Sequence, residues 1–189
     1  FGEKSKKSGF FALNSGKKPQ KLIYKDAEVS HLKKAKDAGL LIWNKGDFEV
    51  YPDLYFSNLE FEDPVKVSTT NPQQSEYNWG TVELVNWTSL DGKELEGLLY
   101  KPENFDPDKK YPMIVYFYEK YSDRLHRHYP PRPSRSVISF TYYVSNGYLV
   151  FIPDIVYKTG FPGQSAYDAI MSGTIQLAKK QWVDENNIG

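Results

Sequence analysis

The chain has 189 residues, and its 24 Lys and Arg balance 24 Asp and Glu, so its formal net charge at pH 7 is zero. This balance argues against a protein that binds nucleic acid or anionic membranes through a general basic surface. Cysteine is absent, which excludes disulfides, thiol catalysis and Cys-ligated zinc and leaves the cellular compartment open. No apolar run approaches the roughly 18 residues that span a bilayer, so the sequence predicts no membrane span.

Residues 1 to about 67 predict β-strands with short connections. Aromatic and aliphatic runs at 9–15 and 19–27 are separated by the turn-like SGKK, and 39–68 continues with two strands and a closing one. The charged run between them, residues 31–39, fits either one helical turn or a loop. Strands at this spacing are typical of a meander, of the four-stranded blade of a β-propeller, or of an ordinary antiparallel sheet.

A polar stretch at residues 68–80 has no periodic apolar signal and predicts a domain boundary. We therefore divide the chain into a first domain over 1–76 and a second over 77–189. The sequence opens without an initiator Met or a signal-peptide pattern, and it stops where an apolar segment has only begun. From these two ends we expect that the sequence is an excerpt of a longer protein.

The second domain predicts alternating strands and helices. It begins with a hairpin over 81–102 whose turn is Asp91-Gly92, and Glu94 and Glu96 alternate with apolar residues, so one face of the second strand is expected to be wet. The elements that follow are a buried strand over 111–118, a helix over 136–145 stopped by Asn146-Gly147, a buried strand over 148–154, a helix from Ser165, and a strand that opens at 187–189. This order indicates an α/β fold, a mixed sheet wrapped by helices.

The last helix raises the question of a catalytic serine. Residues 163–165, Gly-Gln-Ser, match the first half of a G-x-S-x-G nucleophile elbow, but position 167 is Tyr and no strand leads into the motif. Ser165 with Asp168 three residues later instead predicts a capping box at the start of the helix. Apolar residues at three- and four-residue steps predict one stripe along this helix: Tyr167, Met171, Ile175, Ala178 and Trp182.

Residues 82–189 resemble the start of the catalytic domain of the prolyl oligopeptidase family of serine peptidases, most of all its dipeptidyl-peptidase branch. The resemblance rests on 82–118, 147–154 and 182–189, which contain a DG hairpin, a P-x-x-F-D loop and a K-K-Y-P start of a buried strand. It implies the first half of an α/β-hydrolase domain, preceded by the closing strands of a β-propeller that restricts access. It also implies hydrolysis of short peptides by Ser-His-Asp acyl transfer, without a cofactor.

The resemblance also assigns site residues. In an α/β-hydrolase the nucleophile follows the strand after the last predicted helix, and the acid and the histidine come later. Because that strand opens at 187–189, the whole triad is expected beyond Gly189. Tyr118 matches the tyrosine at the end of the third strand that donates its hydroxyl to the oxyanion of the tetrahedral intermediate. The alternative is a purely structural strand-end aromatic, a role that is also open to Tyr116 and Tyr121.

The chain departs from the resembled family in two loops. It has Glu119-Lys120-Tyr121 where many relatives have a glycine-rich turn, and it has the sequence of 155–163 where relatives often carry a Gly- and Arg-rich run. Asp154 follows a buried strand but precedes the expected nucleophile in chain order. Its expected role is therefore a hydrogen bond that orders a loop, and not that of the triad acid.

Two other residue pairs are candidate metal ligands. His126 and His128, two residues apart, fit a metal pair, but with no third ligand at ligand spacing a solvated loop is favoured. Asp106 and Asp108 resemble half a calcium loop without its Gly and terminal Glu, which favours a turn. No metal is therefore expected.

Two functions compete with a serine peptidase. One is a binding module, an aromatic-rich propeller edge on an inactive hydrolase scaffold, and the other is an esterase of the same fold. The residues after Gly189 would separate peptidase from binding module, because a G-x-S-x-G there supports hydrolysis. Substrate length, preference for proline and a homo-oligomer of the full-length protein stay open.

Overall fold

The computed structural model describes residues 1–132 and 137–189, which form two compact units. The first unit contains 1–74 and 126–128, and the second contains 75–125 and 129–189. None of the helices in these described residues is long and apolar enough to cross a membrane. The elements in chain order are β1 (Ser8–Ala12), β2 (Gln20–Lys25), β3 (Glu28–Lys34), β4 (Leu40–Gly46), β5 (Asp53–Asn58), β6 (Val65–Lys66), β7 (Thr81–Thr88), β8 (Glu94–Lys101), β9 (Tyr111–Val115), α1 (Phe140–Ser145), β10 (Leu149–Pro153), α2 (Pro162–Ala178) and β11 (Val183–Ile188), with short 3-10 helices at Pro72–Glu76 and Ser122–Arg124.

The first unit consists of strands, as its sequence predicts. β3, β4, β5 and β6 form a four-stranded antiparallel meander, and β1 pairs with β2. Trp43 lies at the centre of the core, where its ring stacks on that of Tyr55 at 4.9 Å and its indole N–H donates to Ser57 Oγ at 3.2 Å. The buried indole therefore loses no hydrogen bond, as a Trp in a core requires. The assignment of this unit to a propeller stays a prediction.

The charged run over 31–39 is divided between a strand and a loop: residues 31–34 belong to β3, and residues 35–39 form a loop before β4, as one of the two alternatives predicts. β3 reaches Lys34 through a β-bulge in its pairing with β4. Ser30 pairs with Asn44 and Lys33 with Ile42, so two residues of β3 stand opposite one residue of β4. His31 takes up the bend with a φ of +53°, a backbone conformation in which His is tolerated more often than most residues.

Asp53 fastens the segment after β6 to the start of β5. Its buried carboxylate forms an ion pair with Lys66, accepts hydrogen bonds from the hydroxyl of Ser68 at 2.7 Å and of Thr70 at 2.9 Å, and accepts one from the Thr70 backbone N–H at 2.8 Å. Burial alone raises the pKa of Asp53, but Lys66 and the hydroxyl and amide donors outweigh it and hold the pKa well below its usual value.

We expect the first unit to lose stability in acid through Asp53. Because the folded-state pKa of this carboxyl is lowered, its contribution is complete above its unfolded-state pKa, about 4, and is lost as the pH falls below that value. Asp53→Asn should lower the free energy of unfolding at pH 7 by about 1–3 kcal/mol, since the charge-assisted bonds are weakened. Urea unfolding between pH 7 and pH 2 checks this: the difference in the free energy of unfolding between the variant and the unchanged chain should shrink as the pH falls from about 4 toward 2. A constant difference across the range would contradict it.

The second unit is built on a five-stranded mixed sheet with the order β11-β9-β10-β8-β7. β9 runs parallel to β10 and β11, whereas β8 runs antiparallel to β7 and β10. Leu149 and Phe151 of β10 face α2 together with Trp87, and the alternate positions Val150 and Ile152 are equally buried on the other face. Apolar residues on both faces of β10 mark it as a covered central strand, as its sequence predicts.

The predicted hairpin is confirmed in β7 and β8. Gly92 has a φ of +80°, which Gly adopts without strain. The turn is closed by a hydrogen bond from the Ser89 N–H to the Lys93 carbonyl at 2.8 Å. The expected wet face of β8 is confirmed only at its start. From residue 97 onward both faces are buried, because Tyr100 packs against Phe140 of α1 with ring centroids 5.0 Å apart.

The first helix is shorter than predicted. α1 begins at Phe140, while residue 136, where the sequence places the start, lies outside the described residues. Its predicted stop is confirmed: Asn146 is the C-cap, and Gly147 follows with a φ of +83°.

The second helix buries a face of small residues. α2 packs on the sheet through Ser165, Ala169, Ser172, Gly173 and Leu177, whereas Tyr167 and Ile175 of the predicted apolar stripe are exposed. Small side chains let the helix axis approach the rings of Trp87 and Phe151 closely, which is why the larger apolar residues do not form the contact. β11 then begins at Val183, four residues before the predicted start.

Candidate active site

The candidate site lies where the parallel strands end. β9, β10 and β11 point the same way, so their carboxyl ends meet at one edge of the sheet. The chain passes from β9 to β10 on one side and then crosses to β11 on the other side of β9, so the strand order reverses at this edge. In open α/β sheets such a reversal opens a crevice in which ligands bind.

Tyr118 lies at this edge, but beyond the strand that was expected to carry it. β9 ends at Val115, and the backbone then bends while the Tyr116 N–H still donates to the Phe151 carbonyl at 3.0 Å. The Tyr118 side chain is 74% exposed. Its carbonyl accepts a hydrogen bond from the hydroxyl of Tyr157 at 3.3 Å. The Tyr118 phenol ring is therefore exposed to solvent on a short segment that follows β9.

Tyr116 has a different environment from Tyr118. Its ring packs edge-to-face on Tyr121 at 5.9 Å and lies 5.7 Å from the ring of Phe140. Burial raises the pKa of Tyr116, and a hydrogen bond with the Tyr121 hydroxyl raises it further. Arg124 in turn lies over the Tyr121 ring, 4.4 Å from its centroid. Tyr116 and Tyr121 are therefore structural aromatics, as the alternative reading of the sequence held for them.

Asp154 orders the loop after β9, the role that its sequence position suggests. It follows β10 directly and is only 5% exposed, and its Oδ1 accepts the backbone N–H groups of Tyr121 at 2.7 Å and Ser122 at 2.9 Å. The hydroxyl of Ser122 donates to Glu96 Oε1 at 2.8 Å, and the Asp154 N–H donates to the Glu96 carbonyl at 3.0 Å. A buried carboxylate requires such donors, because unpaired it would cost several kcal/mol.

The last residue of the chain lies beside β9 at the same edge. Gly189 donates its N–H to the Met113 carbonyl at 3.0 Å and accepts the Val115 N–H at 2.7 Å through its own carbonyl. Val115 is three residues before Tyr118. This parallel pairing places Gly189 at the edge of the sheet where Tyr118 lies.

Ser165 is not the N-cap of α2, so that assignment was wrong. The helix begins at Pro162, whose fixed φ suits the first helical position, and Phe161 is the N-cap without a side-chain capping bond. Ser165 lies inside the first turn, where its hydroxyl donates to the Phe161 carbonyl at 2.8 Å and accepts the Lys158 N–H at 2.9 Å. Asp168 does not complete a capping box, because it accepts from Gln164 Nε2 at 2.7 Å. Ser165 is 7% exposed and joins the preceding loop to the helix.

The two histidines do not lie in a solvated loop, contrary to the favoured reading of the sequence. Both belong to the first unit, where His126 Nε2 lies 3.1 Å from Asp26 Oδ1 and the buried His128 donates from Nδ1 to the Phe48 carbonyl at 3.1 Å. Burial lowers the pKa of His128, so the ring is neutral at pH 7. Within 1–132 and 137–189 no three His, Asp or Glu side chains are grouped as metal ligands would be.

Asp106 and Asp108 form the predicted turn. The Asp108 N–H donates to Asp106 Oδ1 at 3.0 Å, and Lys109 closes the turn through its N–H to the Asp106 carbonyl at 3.1 Å. This loop precedes β9 and so lies away from the carboxyl edge.

Comparisons with known proteins show a similarity of fold. No protein-family profile and no curated protein matches the sequence significantly. Solved structures with a similar fold include peptidases of the dipeptidyl peptidase IV and prolyl oligopeptidase types. A Bacteroides ovatus protein assigned as a dipeptidyl aminopeptidase IV is 23% identical with a TM-score of 0.66, and the match covers 97% of this chain and 28% of that one.

Two further solved structures also share the fold at low sequence identity. Porphyromonas gingivalis dipeptidyl peptidase 4 is 16% identical with a TM-score of 0.67, over 95% of this chain and 27% of that protein. Prolyl oligopeptidase B from Galerina marginata is 11% identical with a TM-score of 0.62, over 89% of this chain and 25% of that protein. At these identities the likeness is one of fold. The chain spans about a quarter of the length of each relative.

Sequence reasoning missed Glu96, Ser122 and Tyr157 at this edge. Glu96 was expected on a wet face, and Ser122 carried no signal because its partner is 26 residues away in the chain. Tyr157 lies in a loop without periodicity, and its contact with the Tyr118 carbonyl depends on the parallel pairing of β9 and β10.

Proposed function

We propose that this chain is part of a serine peptidase that hydrolyses short peptides, and that its Ser-Asp-His triad follows Gly189. In this proposal residues 1–76 are the end of a β-propeller and 77–189 are the first part of an α/β-hydrolase domain. One observation carries the proposal: Tyr118 is exposed at the carboxyl edge of the sheet, and the backbone leaves β11 at the same edge. The fold of the similar peptidases supports it.

The geometry supports a defined role for Tyr118 in acyl transfer. A serine placed by the turn after β11 attacks the scissile carbonyl carbon, its proton passes to the histidine, and the carbonyl oxygen becomes an oxyanion. The phenol O–H of Tyr118 donates a hydrogen bond to that oxygen, and the backbone N–H after the serine supplies the second donor. One such donor contributes about 3–4 kcal/mol to the stability of the transition state.

A fluorophosphonate probe tests the proposal, because it reacts covalently with activated serines. The protein extended beyond Gly189 should be labelled stoichiometrically at a serine after residue 189, and Ser165→Ala should not change this labelling, since the Ser165 hydroxyl is held by Phe161 and Lys158. Residues 1–189 alone should stay unlabelled. Labelling at Ser165 would contradict the site assignment, and an unlabelled extended protein would favour a binding module instead.

A further inference from the structure

The segment that carries Tyr118 is attached to the segment after β10 by four hydrogen bonds. Asp154 accepts the N–H groups of Tyr121 and Ser122 at 2.7 and 2.9 Å. The next residue, Ile155, donates its N–H to the carbonyl of Glu119 at 2.8 Å. The hydroxyl of Tyr157 donates to the Tyr118 carbonyl at 3.3 Å. Residues 154–157 thus hold 118–122 from its first residue to its last.

Among residues 154–157, Asp154 is the one that is fixed to the sheet. Its side chain is buried, and both amides donate to the same oxygen, Oδ1. Its own N–H is bonded to the Glu96 carbonyl of β8, so the residue is fixed to the sheet through its backbone. The position of the loop after β9 is therefore defined with respect to the sheet.

The exposed Tyr118 needs such support. With three-quarters of its surface in solvent, the side chain depends on its backbone for its position. An oxyanion donor must lie within about 0.5 Å of the productive geometry, and a misplacement of 1 Å costs on the order of a hundredfold in rate. Resting on the proposed function, we propose that Asp154 is a positioning residue that holds the Tyr118 hydroxyl in place for the oxyanion.

Two substitutions of Asp154 separate its acceptor from its bulk. Asp154→Ala removes the acceptor of both amides, and in the active, extended peptidase it should lower kcat about 10- to 100-fold and leave KM within about twofold. Asp154→Asn keeps the shape and an Oδ1 acceptor for both amides, so it should restore kcat to within about threefold of the unchanged enzyme. Asp106→Ala is the matched control, because Asp106 also accepts a backbone N–H but in the loop before β9. It should leave kcat unchanged.

The decisive measurement is a double-mutant cycle with Tyr118→Phe. If Asp154 acts through the Tyr118 hydroxyl, Asp154→Ala should cost less than about threefold in kcat once that hydroxyl is absent. A purely structural Asp154 would lower kcat by the same factor in both backgrounds, and that result would overturn the inference. It would leave the proposed function intact, whereas an unchanged kcat in Tyr118→Phe alone would remove the proposed role of Tyr118.

Tyr157→Phe keeps the inference testable if Asp154→Ala does not fold. This exposed side chain loses only the hydroxyl that contacts the Tyr118 carbonyl. It should lower kcat about 3- to 10-fold with an unchanged melting temperature, and the loss should disappear in the Tyr118→Phe background. Persistence of the loss in that background would again count against positioning through Tyr118.

Discussion

Tyr118→Phe should lower the turnover of the proposed full-length peptidase by about 10²–10³, the range typical for the loss of one oxyanion donor. The substitution keeps the ring and removes only the O–H. Because the negative oxygen exists only in the transition state, kcat should fall while KM changes little. The melting temperature should also stay constant, since the hydroxyl lies on an exposed side chain. Steady-state kinetics on a peptide substrate, together with thermal unfolding, measure all three quantities.

Tyr116→Phe is the control for this prediction. Tyr116 lies two residues earlier on the same segment, but its ring is packed against Tyr121 and Phe140. Its hydroxyl is engaged with Tyr121, so its loss should leave turnover within about twofold. Full turnover in both variants would make Tyr118 a structural residue. An equal loss in both would mean that the whole segment, and not the Tyr118 hydroxyl, supports the reaction.

Gly173→Ala should destabilise the second unit, although Ala is normally the better helix former. A Cβ at Gly173 would lie 2.8 Å from Phe151 Cζ and 2.9 Å from Trp87 Cε2. These rings pack edge-to-face at 5.4 Å, and the Trp87 N–H donates to Ser172 Oγ at 3.0 Å, so neither ring can move without further loss. Overpacking of this kind costs about 1–3 kcal/mol. This exceeds the gain in helix propensity, which is at most about 1 kcal/mol.

Gly163→Ala is the matched control in the same helix. Nothing lies within 4 Å of a Cβ added at Gly163, so only the propensity term remains. Denaturant unfolding should therefore give opposite signs, with Gly163→Ala neutral or slightly more stable and Gly173→Ala less stable. If Gly173→Ala matches Gly163→Ala, the close approach of α2 to the sheet is not as described.

Local signals predicted the second unit well where the chemistry itself is local. The Asp91-Gly92 turn and the Asn146-Gly147 stop were correct because positive φ angles at Gly92 and Gly147 are requirements of the backbone at those points. The buried strand over 149–153 was recognised from an uninterrupted apolar run. Such features need no knowledge of distant residues.

The second helix shows where local signals compete. Pro162 and Ser165 are both helix-start signals, and the helix uses the proline, which leaves the serine to bond the Lys158 N–H of the preceding loop. The buried face was missed for another reason. Periodicity counts large apolar residues, whereas this helix contacts the sheet through small ones such as Ala169 and Gly173.

The bulge in β3 was not predictable from the pattern of the charged run. It depends on the pairing of β3 with β4, which places two residues opposite Trp43. The candidate site has the same limitation. The resemblance indicated Tyr118, but the contacts of Asp154 with Tyr121 and Ser122 join residues 33 and 32 positions apart. Those contacts exist only because β9 and β10 are neighbours in the sheet.

The most direct test of the central claim is a crystal structure of the extended protein with a peptide aldehyde or boronic acid. Such an inhibitor forms a tetrahedral adduct on the catalytic serine and mimics the oxyanion. We predict an adduct on a serine after residue 189, with the Tyr118 hydroxyl about 2.7–3.1 Å from the oxyanion-mimicking oxygen. A Tyr118 hydroxyl that points to solvent, more than about 4 Å from that oxygen, would contradict the account.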